Sequence, residues 1–148
     1  MATALPRKMF VNLPVKDLNR SIGFFKKLGF QFDSQFTDEH ATCMIIGDDA
    51  YVMLLDEGRF KDFARKPITD ATRGTEGIFA LSAASRDEVD ELVDTALSEG
   101  GQLAAEKQEE PFAYSRSFYD LDGHHWEAVY MVPQGTEAKQ PFEVQADS

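Results

Sequence analysis

The sequence predicts an α+β fold of two tandem βαβββ modules, and three observations predict it. Strand, helix, strand and hairpin patterns occur twice in the same order. Each module has one amphipathic helix that closes on glycine. Each also ends in a hairpin with a Gly- and Asp-marked turn. The chain of 148 residues suits one compact domain, or two small halves sharing a core. An apolar share of 43%, with twelve Phe, can fill that core.

In order, Phe10 to Val15 reads as the first strand, with Pro14 removing a ladder donor and pointing to an edge or a bulge. Asp17 is a suitable N-cap, and Leu18, Ile22, Phe25 and Leu28 form an apolar stripe that Gly29 ends. Gln31 to Phe36 is the next expected strand. Ala41 to Ile46 and Tyr51 to Leu55 form a hairpin across Gly47-Asp48-Asp49-Ala50. The first module therefore runs over about residues 8–56. Residues 57–76 form a linker or lid, with a short helix from Gly58 to Arg65 carrying Phe60 and Phe63.

The second module, about 77–131, repeats the pattern. Ile78 to Ala83 is a strand, and Ser85 with Glu88 makes a capping box. Val89, Leu92, Val93, Ala96 and Leu97 make the second apolar stripe, stopped by Gly100-Gly101. Gln102 to Lys107, Tyr114 to Asp120 and His125 to Met131 are the remaining strands. A polar tail, 132–148, is expected to fray. Aligning the two modules pairs Phe10 with Ile78, and Leu54 with Glu127.

The last hairpin carries the candidate chemistry. A turn at 121–124 around Asp122-Gly123 sets Asp120 opposite His125, Phe118 opposite Glu127 and Arg116 opposite Val129. One sheet face, with Val11, Leu13, Val15, Tyr51, Met53, Leu55, Phe79, Leu81, Ala83, Trp126, Ala128 and Tyr130, is apolar and should take the helices. The other carries Phe10, Asn12, Cys43, Leu54, Ile78, Ser82, Arg116, Phe118, His125 and Glu127. That mixture of size and polarity suits a ligand-lining surface. A carboxylate at Glu127 must there be hydrogen-bonded, paired or bound to ligand. Burial would raise its pKa and fit it for a general base. Arg116 could pair with it or meet an anionic ligand, and Tyr114, Phe118 and Phe60 could stack on a planar ligand or simply fill core. His124 and His125, being adjacent in a strand, face opposite ways. His125 and Glu127 share a face about 7 Å apart, as a weak two-ligand metal site or a hydrogen-bonded pair. Cys43 reads as a small buried hydrophobe, with no nearby cation to activate it.

A net charge of −11 argues against nucleic acid or anionic membrane as partners. The single cysteine excludes an internal disulfide framework and fits a reducing, cytoplasmic setting. Residues 1–9 lack the apolar run of a signal peptide, and no stretch approaches a membrane span.

The repeat, together with a first strand running into Leu-Pro-Val-Lys-Asp-Leu-Asn-Arg-Ser, a helix closing in Phe-Phe-Lys-Lys-Leu-Gly-Phe and the late Asp-Leu-Asp-Gly-His-His-Trp-Glu, resembles one superfamily. It is the vicinal oxygen chelate group: glyoxalase I, extradiol dioxygenases, and bleomycin- and fosfomycin-resistance proteins. The resemblance covers roughly residues 8–131. It implies curved four-stranded sheets around a cup, helices outside, and a homodimer. It also implies metal ligands on the first and fourth strands of each module, here Phe10, Leu54, Ile78 and Glu127, of which Glu127 alone can donate to a metal. The expectation is a cofactor-free, metal-free binder of a small organic molecule, with Glu127, Arg116 and Asn12 as polar contacts. The alternatives are a lyase, isomerase or dioxygenase-like enzyme using Glu127 as base or residual metal ligand, and a dimeric scaffold whose cup is filled by its own side chains.

Overall fold

A computed structural model describes residues 5–133; the polar tail beyond, like residues 1–4, lies outside the described residues. Eight strands and three α-helices appear in this order: β1 (Met9–Val15), α1 (Leu18–Lys27), β2 (Gln31–Asp33), β3 (Ala41–Gly47), β4 (Ala50–Asp56), α2 (Glu57–Phe63), β5 (Ile78–Ser82), α3 (Arg86–Ser98), β6 (Gln102–Glu110), β7 (Ala113–Tyr119) and β8 (His125–Met131). They make two four-stranded mixed sheets, ordered β1-β4-β3-β2 and β5-β8-β7-β6. The order is the same in both modules, and the first strand of each pairs parallel with the last. Pro14 is tolerated because β1 lies at a sheet edge.

Local chemistry sets the element ends. The Asp17 carboxylate accepts from Arg20 N at 3.1 Å and starts α1. Ser85 Oγ accepts from Glu88 N, while Glu88 Oε1 reaches back to Ala84 N at 2.7 Å, one residue before the usual partner of a capping box. The second strand is shorter than the sequence suggests. Asp33 accepts from Gln35 N and turns the chain into a 3-10 turn at Ser34–Phe36.

One core serves both modules. Phe24 and Phe25 of α1 lie against the second sheet, 6.2 Å from the Phe118 ring and 5.2 Å from Trp126. Val89, Val93 and Ala96 of α3 are fully buried in the same cluster, with Leu13, Met44 and Leu54 of the first sheet. The helix-covered faces of the two sheets thus meet in the middle, and each sheet's other face turns away from the core.

The Asp120-to-Trp126 stretch locks the modules together. Buried Asp120 accepts from Asp122 N, His124 N and the Trp126 indole N–H at 2.8–3.0 Å. Burial pushes its carboxyl above the usual range, against the pull of these donors. Asp122 then crosses to the first module, accepting from Lys16 N at 2.9 Å and Ser21 Oγ at 3.3 Å. Gly123 has φ +89°, and a Cβ there would sit 2.8 Å from Ala71 O. Both backbone angle and space therefore require glycine.

On the first module's rim, His40 Nδ1 lies 2.6 Å from Asp56 Oδ2, and Asp56 also caps α2 by accepting from Arg59 N. The Asp56 hydrogen bond raises the His40 pKa, and the Arg59 amide, followed by His40, lowers that of Asp56. His40 thus contributes stability below its ordinary pKa, lost as pH rises through the raised value. Asp56 contributes above its ordinary pKa, lost as pH falls through the lowered value. Proton NMR should place the His40 midpoint above about 6.5 in the native protein. Asp56→Asn should bring it back, and an unchanged midpoint would break the link.

Candidate functional site

The open faces are built from alternate residues of the two sheets. On the first sheet the register Phe10↔Tyr51, Asn12↔Met53 and Pro14↔Leu55 brings these six to one face, with Cys43 opposite Met53. Phe10 stacks on Tyr51 with centroids 4.9 Å apart, yet stays 51% exposed. Phe60 and Phe63 of α2 add to this face, forming with Asn12 and Leu55 an apolar groove of about 500 Å³. Burial pushes the Cys43 thiol up, away from nucleophilic readiness.

The second sheet's open face pairs Ile78 with His125 and Ala80 with Glu127. Ser117 lies across from Glu127, and Tyr119 across from His125 with the rings 5.3 Å apart. Among the described residues no cation or hydrogen-bond donor holds the half-buried Glu127 carboxylate. Asn12 donates its side-chain amide to Phe10 O at 3.2 Å.

Of the expected site residues, Phe10, Asn12, Cys43, Ile78, His125 and Glu127 lie on open faces. Leu54, Tyr114, Arg116 and Phe118 do not. Leu54 is fully buried beside Leu13 on the helix side, so Tyr51, Met53 and Leu55 take the open face instead. The cause is a bulge between Ile45 and Gly47, which shifts the hairpin by one and sets Cys43 opposite Met53 rather than Leu54. The module alignment changes with it: Phe10 beside Tyr51 corresponds to Ile78 beside His125, so Met53, not Leu54, matches Glu127.

The last hairpin is also displaced by one residue. Gly123 N bonds to Asp120 O, and Gly123 at positive φ completes a three-residue loop over 121–123. Asp120 then meets His124, while Ser117, not Phe118, faces Glu127, and Arg116 faces Ala128, not Val129. A one-residue slip moves alternate side chains to the opposite face. Phe118 accordingly sits in the core. Tyr114 donates to Asp90 at 2.6 Å, and Arg116 bonds Asp90 at 3.0 Å and Asp94 at 2.9 Å, all on the α3 side. The Tyr114 hydroxyl, then Arg116, holds the Asp90 carboxyl below its usual range. Arg116 is therefore engaged by α3 and does not reach Glu127. Tyr51, Met53, Leu55 and Ser117 are among the open-face residues that sequence reading missed. Only a signal for the two extra loop residues would have found them.

The donor set does not suit the divalent metal that the fold implies. Phe10, Met53 and Ile78 stand with Glu127 at the corresponding strand positions, and among the described residues no group of three His, Cys, Asp or Glu is placed to hold an ion. A thioether and a lone carboxylate fall short of the three or four hard or borderline donors such an ion takes.

Residues 7–47 match the family model described as Bleomycin resistance protein-like N-terminal. The chain is 30% identical to hypothetical protein SA1046 from S. aureus, covering 88% of this chain and 96% of that one, with a TM-score of 0.71. It is 19% identical to a glyoxalase-related enzyme from Fulvimarina pelagi, with coverage of 91% and 96% and a TM-score of 0.73. It is 20% identical to the fosfomycin resistance protein FosX from Listeria monocytogenes, with coverage of 97% and 99% and a TM-score of 0.60. No curated protein matches the sequence significantly. No helix among the described residues is long and apolar enough to cross a membrane. With its doubled βαβββ plan, its matching first module and these likenesses over nearly its whole length, the chain belongs to the glyoxalase/bleomycin-resistance/dioxygenase (vicinal oxygen chelate) superfamily.

Proposed function

We propose that the protein binds a small organic molecule, without metal, on the open sheet faces, using Glu127 as the polar anchor. The observation that carries this reading is the Glu127 carboxylate, which no described residue pairs, on a face shared with Ile78, Ala80, Ser117, Tyr119, His125 and Val129. A half-buried carboxylate gains most from a ligand that supplies the missing donor, since desolvation without a partner is unfavourable. The apolar first sheet, with Phe10 on Tyr51 and Phe60 and Phe63 over Leu55, suits the ligand's flat or greasy part.

A homodimer completes the cup in this reading. Phe10 and Ile78 are more than half exposed on the two edge strands. A second copy would place one sheet's apolar face over the other's Glu127. The middle segment 57–76 then acts as a lid through α2. The buried lone thiol fits a cytoplasmic protein.

The test combines sedimentation with thermal-shift screening of metal-analysed protein against catechols, glutathione adducts and glycopeptide antibiotics. The expected result is a dimer, and a ligand-induced rise in melting temperature that Glu127→Gln reduces with little change in the unliganded melting point. Stoichiometric metal bound to Glu127, or a ligand response identical in the variant, would overturn the reading.

A further inference from the structure

Ser117 lies directly across from Glu127 on the second sheet's open face and is only 4% exposed. Its hydroxyl has no hydrogen-bond partner among the described residues, yet none of their fully buried side-chain oxygens lacks one. The little surface that Ser117 keeps therefore includes the hydroxyl oxygen, which opens onto the face that carries the Glu127 carboxylate. Cross-strand neighbours hold their Cβ atoms about 4.5–5.5 Å apart. The two side chains nevertheless do not bond each other. A serine hydroxyl offers lone pairs and a carboxylate only accepts, so one donor-rich group seated between them can satisfy both.

Strand register gives the spot its shape. Ala80 on β5 and Ala105 on β6 flank Glu127 and Ser117, so this row of the sheet is low at its ends. The next row toward the turn is taller: Ile78, 58% exposed, then His125 and Tyr119 with their rings 5.3 Å apart. Small side chains beside large ones leave a recess with an apolar and aromatic wall.

The charge of this face has one sign. Lys107 and Arg116 are the basic residues of β5 to β8, and both line the hollow on the α3 side with Asp90 and Asp94. Arg116 is bonded to those two carboxylates, and Lys107 pairs with Glu109. Glu110, across from Ala113, adds a second carboxylate at the far end of the open face. Such a field favours a cation and repels an anion.

We propose that this recess seats the protonated primary amine of a small arylalkylamine, its ammonium donating to Glu127 and to Ser117 Oγ, its ring against Ile78 and Tyr119. This assignment rests on the reading of Glu127 as a ligand anchor and adds the class of ligand. An ammonium has three donors and no acceptor, and a charge-assisted bond to carboxylate is the stronger kind. A quaternary ammonium brings the charge without the donors, and an alcohol brings a donor without the charge.

Calorimetric titration of the full chain with phenethylamine at neutral pH should show saturable binding. Phenethyl alcohol and phenethyltrimethylammonium should each bind about tenfold or more weakly, and hydrocinnamate, an anion, weaker still. Ser117→Ala removes no side-chain bond of the free protein. It should weaken phenethylamine about fivefold while leaving the trimethylammonium compound and the unfolding midpoint in place. Glu127→Gln should bring the amine down to the level of the alcohol, whereas Glu110→Gln should leave it unchanged. No saturation by the amine, equal binding of the alcohol or the trimethylammonium compound, an unchanged response in Ser117→Ala, or an equal loss in Glu110→Gln would each overturn the proposal. Should a neutral or anionic compound instead bind and lose affinity in Glu127→Gln, the anchor stands and the amine assignment alone falls. Should no compound, here or in the wider screen, respond to Glu127→Gln, the binding reading falls as well.

Discussion

Asp120→Ala is expected to destabilise the protein by roughly 3–5 kcal/mol, although Asp120 lies on no open face. Its carboxylate accepts from two backbone amides and the Trp126 indole, all within 3.0 Å. Removing it leaves up to three buried donors without a partner, each costing about 1–3 kcal/mol before relaxation and water entry reduce the sum. Asp120→Asn keeps one acceptor oxygen and should lose about half as much. Trp126 is the single tryptophan, so its fluorescence follows urea unfolding at the site of change. A loss below about 1 kcal/mol in the alanine variant would show that the loop does not depend on this acceptor. The consequence reaches the other module, because Asp122 in the same loop holds Lys16 N and Ser21.

The second large effect separates neighbours in β4. Leu54→Ala should cost about 2–5 kcal/mol, since its side chain is fully enclosed with Leu13 and Met44 in the shared core. Met53→Ala, on the half-buried open face, should cost less than about 1.5 kcal/mol but alter ligand response. Urea denaturation of both variants decides the matter. Equal losses, or a larger one at Met53, would mean that the strand faces are assigned the wrong way round.

These two variants test the points at which sequence reading went astray. Composition and periodicity gave strand and helix order, caps at Asp17 and Ser85, and the doubled module. Those signals are local, and each is carried by residues within a few positions of one another. Hairpin register is different. A turn signal such as Asp122-Gly123 fits a two-residue or a three-residue loop, and one residue more reverses every side chain across the pair. The bulge between Ile45 and Gly47 has the same effect in the first module, with no residue that announces it. Arg116 thereby went to Asp90 and Asp94 instead of Glu127, and Leu54 to the core instead of the open face.

By itself the chain determined its family plan and its two amphipathic helices, because these follow from residue type and spacing. Only the tertiary structure decided which side chains share a face, and that Asp122 and His124 tie one module to the other. The physical reason is that such facts depend on contacts more than a hundred residues apart, as between Pro14 and His124, which no local pattern encodes.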